Sequence, residues 1–376
     1  MSSTKLGRWR GIWFNIHLWI GVILTILLAP LGLTGSLLVW REALSQPAGA
    51  SGAASLPPSA YLKAGGEALG PDARIVGLRM PAHDGQAVVV QGRLPSPDGE
   101  EGGRPRQVLA WIDPSSARVL TSGAPGGGAM GVVHRLHETF LLPGVGRQIV
   151  GWCGWAMLVS ALTGLWLWWP RIGGFIAGLR WTRTGWQLLN LHHTVGFWLC
   201  IPLAVLSLTG VGLAFPDMTG SLVGVFAPEP AGALSGPPGA GAQRGRPGGN
   251  GRGHGHHAAA LTPDQAAALA LAGHPGARLA SLSLPAGGSA AWRVQLQPAK
   301  GPALDLNIDD ATGAVSPAPN LDGPSRAVHR WIHRLHGGEQ TGLVWRVVIT
   351  VAGLAPTLLG VTGILVWLRR RRTKTA

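Results

Sequence analysis

Four long apolar runs dominate the pattern of hydrophobic and polar positions along the chain. A helix needs about 20 mainly apolar residues to cross about 30 Å of hydrocarbon, and each run reaches that length. The first run continues past Pro30 to Trp40 without a small-residue cleavage site, so we expect it to remain as an anchor. The pattern predicts four transmembrane helices, at residues 16–39, 149–169, 191–215 and 344–367.

Two polar stretches between the runs show the short alternation of apolar and polar positions that is typical of strands. Each begins with a helix-like segment, at 60–69 and at 263–272. We therefore predict two small α+β modules. Their strands are expected near 74–78, 87–90, 109–114 and 118–120 in the first module, and near 278–284, 292–296, 304–309 and 313–315 in the second.

The segment 228–257 is rich in Gly, Pro and Arg, and its composition predicts a disordered insertion. The organisation expected from these patterns has nine parts. They are an N-terminus (1–15), a first transmembrane helix (16–40), a first module (41–130), a His-bearing segment with the second helix (131–170), a loop (171–190), the third helix (191–215), a second module (216–325), a His-bearing segment with the fourth helix (326–368) and a tail (369–376).

Composition narrows the class of protein. Only 13% of the residues are charged and 46% are hydrophobic, which excludes an ordinary soluble surface. The formal net charge is +14, but a nucleic-acid binder would be rich in Lys and Arg throughout. Two cysteines cannot form a disulfide framework or an iron–sulfur cluster. Of the classes of protein considered, a membrane protein is the one that agrees with this composition.

The positive residues beside the spans predict the orientation. They precede the first span, fill the short loop between the second and third, and follow the fourth, so all three regions lie on one side. The positive-inside rule makes that side the cytoplasm and places both modules outside. The residues are Lys5, Arg8, Arg10, Arg171, Arg180, Arg183, Arg369, Arg370, Arg371, Arg372 and Lys374.

The chain contains an internal duplication. Asn15-Ile16-His17 recurs 175 residues later as Asn190-Leu191-His192. His134-Arg135-Leu136-His137 recurs 199 residues later as His333-Arg334-Leu335-His336. Both copies start on the same side, so the expected fold is an α-helical membrane protein with four transmembrane helices in two tandem parallel repeats and two periplasmic modules.

Duplication gives the histidines a specific interpretation. His17 and His192 occupy equivalent positions near one membrane face, and His137 and His336 do so near the other. Two imidazoles that approach one axial site from opposite sides suit a haem iron, whereas a tetrahedral zinc ion needs three or four ligands. We therefore expect two haem groups. Their iron atoms would be bound by His17 with His192 and by His137 with His336, while His193, His134 and His333 stay open as neighbours or alternative ligands.

Two sets of glycines accompany these histidines. Gly21 and Gly196 follow His17 and His192 by four residues, and so lie on the same helix face. They leave room for a flat macrocycle, or they allow close helix–helix contact. Each span also carries a Thr-Gly pair, which lines the haem pocket at the end opposite its own helix's histidine or serves packing alone. The pairs are Thr34-Gly35, Thr163-Gly164, Thr209-Gly210 and Thr362-Gly363.

These motifs resemble the PepSY-associated transmembrane family of bacteria, which includes iron-regulated membrane proteins and inner-membrane ferrisiderophore reductases. The resemblance covers nearly the whole chain except the insertion. It is carried by His17-Leu18-Trp19-Ile20-Gly21, Leu136-His137-Glu138-Thr139, Leu165-Trp166-Leu167-Trp168-Trp169-Pro170-Arg171, Leu191-His192-His193-Thr194-Val195-Gly196 and Leu335-His336-Gly337-Gly338-Glu339.

The resemblance implies a four-helix protein of the bacterial inner membrane with two b-type haems, PepSY-like modules and the four histidine ligands His17, His192, His137 and His336. It would reduce a periplasmic ferric siderophore by electron transfer, with no catalytic acid or base. Because no Gly-x-Gly-x-x-Gly motif follows a strand, the electron donor must be a separate reductase or a quinol. Two other functions stay open: a PepSY-type regulator or peptidase inhibitor without redox activity, and a transporter of haem, metal or siderophore.

Overall fold

A computed structural model describes residues 2–95, 105–169, 174–180, 184–227, 259–285, 290–318, 323–339 and 341–375. The chain divides into two compact units. The helical unit comprises Met1–Glu42, Ala129–Gly245 and Leu321–Ala376, and the sheet unit comprises Ala43–Gly128 and Arg246–Asn320. The predicted disordered insertion, 228–257, lies outside the described residues.

The helices follow one another in chain order as α1 (Ser2–Leu38), α2 (Arg41–Leu44), α3 (Pro58–Leu69), α4 (Gly128–Thr139), α5 (Gly146–Trp168), α6 (Gly174–Leu179), α7 (Gln187–Ala214), α8 (Pro216–Phe226), α9 (Pro263–Ala272), α10 (Pro324–Gly337) and α11 (Leu343–Thr375). The strands are β1 (Arg74–Arg79), β2 (Val88–Leu94), β3 (Arg106–Ile112), β4 (Val119–Gly123), β5 (Arg278–Ser283), β6 (Ala291–Gln297), β7 (Leu304–Asp309) and β8 (Val315–Pro317).

Four helices of the helical unit are long and apolar enough to cross a membrane. The shortest has 23 residues, which at 1.5 Å per residue is about 34 Å. Large apolar side chains cover their outer surfaces, with Ile26 and Val344 each 80% exposed, as a lipid-facing surface requires. The candidate spans are Arg8–Leu38, Gly146–Trp168, Gln187–Ala214 and Leu343–Arg372, and they confirm the four predicted helices.

Small residues bring the long helices together. Helix α1 packs on α5 and α11, and α7 packs on the same two helices. A Cβ added at Gly32 would strike the carbonyl of Gly353, and one added at Gly154 would lie 2.9 Å from a methyl of Val211. Such contacts are typical of helix pairs in membranes, where packing replaces the hydrophobic drive to associate.

The two histidine-bearing segments are separate short helices and not the first turns of the spans. Between α4 and α5 the backbone reverses at Phe140 and Leu141, whose φ angles are +49° and +60°. Between α10 and α11, Gly338 ends the helix in the left-handed conformation with φ +71°. Neither α4 nor α10 is therefore continuous with the transmembrane helix that follows it.

The sheet unit contains one eight-stranded antiparallel sheet in the order β4-β3-β2-β1-β5-β6-β7-β8. The two segments that we predicted as modules join edge to edge, because Gly77, Leu78 and Arg79 of β1 pair with Ser283, Leu282 and Ser281 of β5. The structure therefore joins both segments in one sheet. The predicted strands and the helices α3 and α9 are confirmed.

A single apolar core supports this sheet, and both segments contribute to it. Tyr61 from α3 and Trp292 from β6 are almost fully buried within it.

Where the third strand of each segment ends, a carboxylate closes a turn. Hydrogen bonds from Ser116, Ser115 and then Ser51 hold the pKa of Asp113 well below its usual range, and Thr312 lowers the pKa of Asp309 in the same way.

Candidate dihistidine sites

His17 and His192 face each other inside the helical unit and form the first pair. His17 lies on α1, nine residues after Arg8 at the start of its span, and His192 lies on α7, five residues after Gln187 at the start of its span. Their ring centroids are 6.3 Å apart and their planes are almost perpendicular, at 88°. Of the two adjacent histidines on α7, it is His192 that faces His17.

His137 and His336 form the second pair. They lie near the ends of the short helices α4 and α10, with ring centroids 6.2 Å apart and planes inclined at 44°. Burial lowers the pKa of His137, and burial together with the nearby His137 and His333 lowers the pKa of His336 to about 3. Both imidazoles are therefore neutral at neutral pH, which is the form that binds metals.

A threonine hydroxyl lies against the Nδ1 atom of every histidine in these pairs. In each case the threonine belongs to a Thr-Gly pair, and it comes from a different helix than the histidine. The Oγ1–Nδ1 distances are 3.1 Å for Thr163 and His17, 3.0 Å for Thr362 and His192, 3.1 Å for Thr34 and His137, and 2.9 Å for Thr209 and His336. The Nε2 atom is left as the ring nitrogen for another partner.

The glycine after each threonine makes room for the imidazole. An added Cβ would lie 2.8 Å from Cε1 of His137 at Gly35, 3.0 Å from Cε1 of His17 at Gly164, and 3.1 Å from Cε1 of His336 at Gly210. At Gly363 the distance to Cε1 of His192 is 3.5 Å, an ordinary contact. The Thr-Gly pairs of α1 and α7 thus border the second histidine pair, and those of α5 and α11 border the first.

Gly21 and Gly196 border open space. A Cβ added at Gly21 would meet nothing within 4 Å, and one added at Gly196 would meet only a methyl of Leu359, at 3.9 Å. Close helix–helix contact, one of the two interpretations of these glycines, is therefore absent at both positions. The space lies on the helix face that carries His17 or His192.

The two pairs lie far apart along the bundle. His17 and Thr34 are 17 residues apart on α1, and His192 and Thr209 are 17 residues apart on α7. Since Thr34 and Thr209 contact the second pair, the pairs are separated by about 25 Å along the helix axes, at a rise of 1.5 Å per residue. This distance is comparable with the thickness of the hydrocarbon layer.

Two of the predicted alternative ligands, His134 and His333, lie nearer the surface. His134 and His333 are exposed one turn before His137 and His336, and His333 is 3.8 Å from the carboxylate of Glu339. Arg135 and Arg334 are exposed as well. Arg183, a predicted partner of a haem propionate, lies outside the described residues.

The sites offer two imidazoles each, and among the described residues no group of three or more His, Cys, Asp or Glu side chains is placed to hold a metal ion. A metal–imidazole bond is about 2 Å long, so two imidazoles on opposite sides of one ion have ring centroids about 6 Å apart. Both pairs match this separation. The donor set, the spacing and the space at Gly21 and Gly196 fit a haem with two axial histidines.

Sequence reasoning missed one set of contacts at these sites. The carbonyl oxygens of Ser160 and Leu31 lie 3.1 and 2.9 Å from Nδ1 of His17 and His137. Both belong to the residue three positions before the threonine. A backbone carbonyl leaves no trace in residue identity, and only the repeated Thr-Gly spacing pointed to these turns.

Comparison with known proteins supports a membrane protein. No curated protein matches the chain. The family model described as the PepSY-associated TM region matches residues 14–370, which include all four candidate spans and all four paired histidines. The chain is a membrane protein that belongs to the PepSY-associated TM region family.

Proposed function

We propose that this protein carries electrons across the bacterial inner membrane through two haem b groups and reduces a ferric siderophore on the periplasmic side. The observation that carries the proposal is the double occurrence of one arrangement: two half-buried imidazoles about 6 Å apart, each with Nδ1 against a threonine. His17 with His192 would hold one haem, and His137 with His336 the other.

A bound haem would supply reversible one-electron exchange between ferric and ferrous iron. The protein's own part is to fix the ligands and to separate the two centres. The helices leave the four imidazoles half-buried, and the open space at Gly21 and Gly196 would admit a flat ring. The separation of about 25 Å would place one centre near each membrane face.

The proposed orientation has both termini in the cytoplasm and rests on the positive residues beside the spans. The first pair would then lie near the cytoplasmic face and receive electrons from a separate reductase or a membrane quinol. A cavity of about 320 Å³ lies between the start of α7 and the end of α11, lined by Trp186, Leu365 and Arg369 among others, and it offers such a donor a place to approach.

The surface of α10 suits a negatively charged electron acceptor. Arg326, Arg330 and Arg334 are exposed at intervals of four residues, on the helix that carries His336. A cationic surface attracts anionic ligands and raises their rate of encounter. Siderophores bind Fe(III) through hard oxygen ligands, and Fe(II) gains less from such ligands, so reduction would release the metal.

The contacts within the helical unit also support two tandem parallel repeats. Exchange of α1 with α7 and of α5 with α11 converts each contact among these four long helices into another observed contact. The same exchange converts the His17–Thr163 contact into the His192–Thr362 contact. An axis along the membrane normal would relate such repeats.

A spectrum of the purified protein tests the proposed function. We expect a Soret band, a dithionite-reduced minus oxidised difference spectrum of the b type, and two haems per chain. Ala at His17 or His192 should remove one haem, and Ala at His137 or His336 the other, whereas Ala at the exposed His134 should leave both. Absence of haem from the wild-type protein would overturn the proposal and favour a regulator without redox activity. Haem uptake into vesicles without redox turnover would favour a transporter.

A further inference from the structure

We propose that the threonines of the four Thr-Gly pairs are positioning residues, which hold the paired histidines as Nδ1–H tautomers and thereby make Nε2 the metal-binding atom in all four. The inference deepens the proposed function and rests on it for the identity of the metal. Its structural part concerns only the protein's own hydrogen atoms. Each step follows from counting donors and acceptors around the imidazoles.

Each threonine has one hydroxyl hydrogen, and its own helix takes it. The hydroxyl donates to the carbonyl four residues earlier, a common arrangement for threonine inside helices. The distances are 2.6 Å from Thr34 to Pro30, 2.7 Å from Thr163 to Val159, 2.8 Å from Thr209 to Val205 and 2.8 Å from Thr362 to Leu358. The hydroxyl oxygen can therefore only accept a hydrogen bond from the imidazole.

A backbone carbonyl gives the same result independently. Nδ1 of His17 lies 3.1 Å from the carbonyl oxygen of Ser160, and Nδ1 of His137 lies 2.9 Å from that of Leu31. At His192 and His336 the threonine hydroxyl is the acceptor that fixes the tautomer. A carbonyl oxygen has no hydrogen to donate, so Nδ1 must carry the proton. A neutral imidazole has one N–H, and Nε2 is then left with its lone pair.

The glycine of each Thr-Gly pair completes an arrangement that we call the clamp, in which a threonine oxygen and the next glycine of one helix lie against the histidine of another. It lets the edge of the ring approach the helix, so that Cε1 is the ring atom nearest to the glycine and Nδ1 points along the helix toward the threonine. The threonine oxygen recurs at all four histidines. The carbonyl one turn before it recurs at His17 and His137, and the closely approached glycine recurs at His17, His137 and His336. A chance contact at one histidine would not recur at its three counterparts.

The clamp has a consequence for the reduction potential. Acceptors on the far N–H of a ligating histidine raise the basicity of the ligand. A more basic ligand favours ferric over ferrous iron and lowers the midpoint potential of the haem that it binds. Each threonine should therefore lower the potential of one centre, with Thr163 and Thr362 acting on the first pair and Thr34 and Thr209 on the second.

A potentiometric titration of the haem-loaded protein tests this consequence. The substitution Thr163→Val removes the hydroxyl acceptor of His17, leaves the carbonyl of Ser160 as the other acceptor, and keeps the shape of the side chain. It should shift the midpoint potential of one centre upward and leave the other in place. The substitution Thr163→Ser keeps a hydroxyl and should keep the midpoint potential of the wild-type protein. The substitution Thr34→Val should shift the midpoint potential of the other centre. Val at Thr25 is the matched control, because Thr25 lies on α1 and donates to Gly21 without contacting a paired histidine. Unchanged potentials in both valine variants, or equal shifts in the serine and valine variants, would overturn the positioning role.

A second measurement needs no haem. In haem-free protein with ¹⁵N-labelled histidine, the nitrogen chemical shifts of the paired imidazoles should report protonated Nδ1 and unprotonated Nε2 in all four, with signals assigned by single His→Ala variants. An Nε2–H tautomer at any of the four would overturn the inference. If the protein binds no haem but the Nδ1–H tautomers are found, the proposed function fails while the structural part of this inference stands.

Discussion

Gly35 lies directly against the imidazole of His137: a Cβ built on Gly35 would be only 2.8 Å from Cε1 of that ring. The ring cannot easily give way, since Thr34 and the carbonyl of Leu31 hold its Nδ1 atom. The glycine therefore decides where the imidazole can lie. The equivalent position in the second half of the chain, Gly210, has nearly the same clearance, 3.1 Å from His336.

The substitution Gly35→Ala should therefore displace His137 and prevent haem binding at the second histidine pair. We expect the haem content to fall from two to about one per chain and the bundle to lose about 1–3 kcal/mol of stability through overpacking. Haem per chain and the thermal midpoint measure both effects. Ala at Gly363 is the matched control, because its Cβ would make an ordinary 3.5 Å contact with His192. Equal losses in the two variants would contradict the steric explanation.

Leu at Gly21 tests whether the space beside His17 belongs to the cofactor. Nothing lies within 4 Å of an added Cβ, and leucine favours a helix over glycine by about 1 kcal/mol, so the protein should still fold. The bulky side chain should exclude the haem of the first pair and leave that of the second. Leu at Gly11, which is also open but on another face of α1, should retain both haems. Retention of two haems in the Gly21 variant would assign the space to lipid.

Charge reversal on α10 tests the acceptor surface. The double substitution Arg330→Glu and Arg334→Glu should slow reduction of an anionic ferric chelate by about tenfold at low ionic strength. The reason is that charge steers the encounter between the protein and the chelate. The difference should shrink as salt screens it. Stopped-flow oxidation of the reduced haems measures the rate, and an uncharged acceptor serves as the control. Equal slowing with both acceptors would argue against electrostatic steering.

Acidification tests the turn around Asp113 in the sheet unit. Its serine donors lower the pKa of the folded carboxylate, so the carboxylate stabilises the fold above its unfolded pKa of about 3.9. That stability is lost as the pH falls toward the lower folded value. Asn at Asp113 should lower the thermal midpoint at pH 7 and weaken its dependence on pH below about 5. Fluorescence of the buried Trp292 follows unfolding, and Asn at the exposed Asp72 should change neither property.

Local signals were sufficient to predict most elements. The helix at 263–272 was predicted with its observed bounds, since Pro263 begins it and Thr262 forms a capping box with Gln265. The pairing of His17 with His192 followed from duplication, because equivalent residues in two copies lie at the same depth. Periodicity and internal repetition thus predicted the spans and brought the histidines together.

Other features depended on contacts that residue identity does not encode. The junction of β1 with β5 uses backbone hydrogen bonds, which any edge strand could offer. Gly77 allows it, since a Cβ there would strike the carbonyl of Leu282, but a glycine inside a strand has several explanations. The reversal at Phe140 and Leu141 was missed because bulky residues rarely adopt positive φ.

The distribution of the clamps along the chain has an evolutionary consequence. Every paired histidine bonds a threonine from its own half: His17 with Thr163, His137 with Thr34, His192 with Thr362 and His336 with Thr209. Each half thus contributes one histidine with its threonine to each end of the bundle, and each histidine pair forms only where the two halves meet. A polypeptide of half this length could build both centres as a twofold-symmetric homodimer, so gene fusion would join two subunits without inventing a new site.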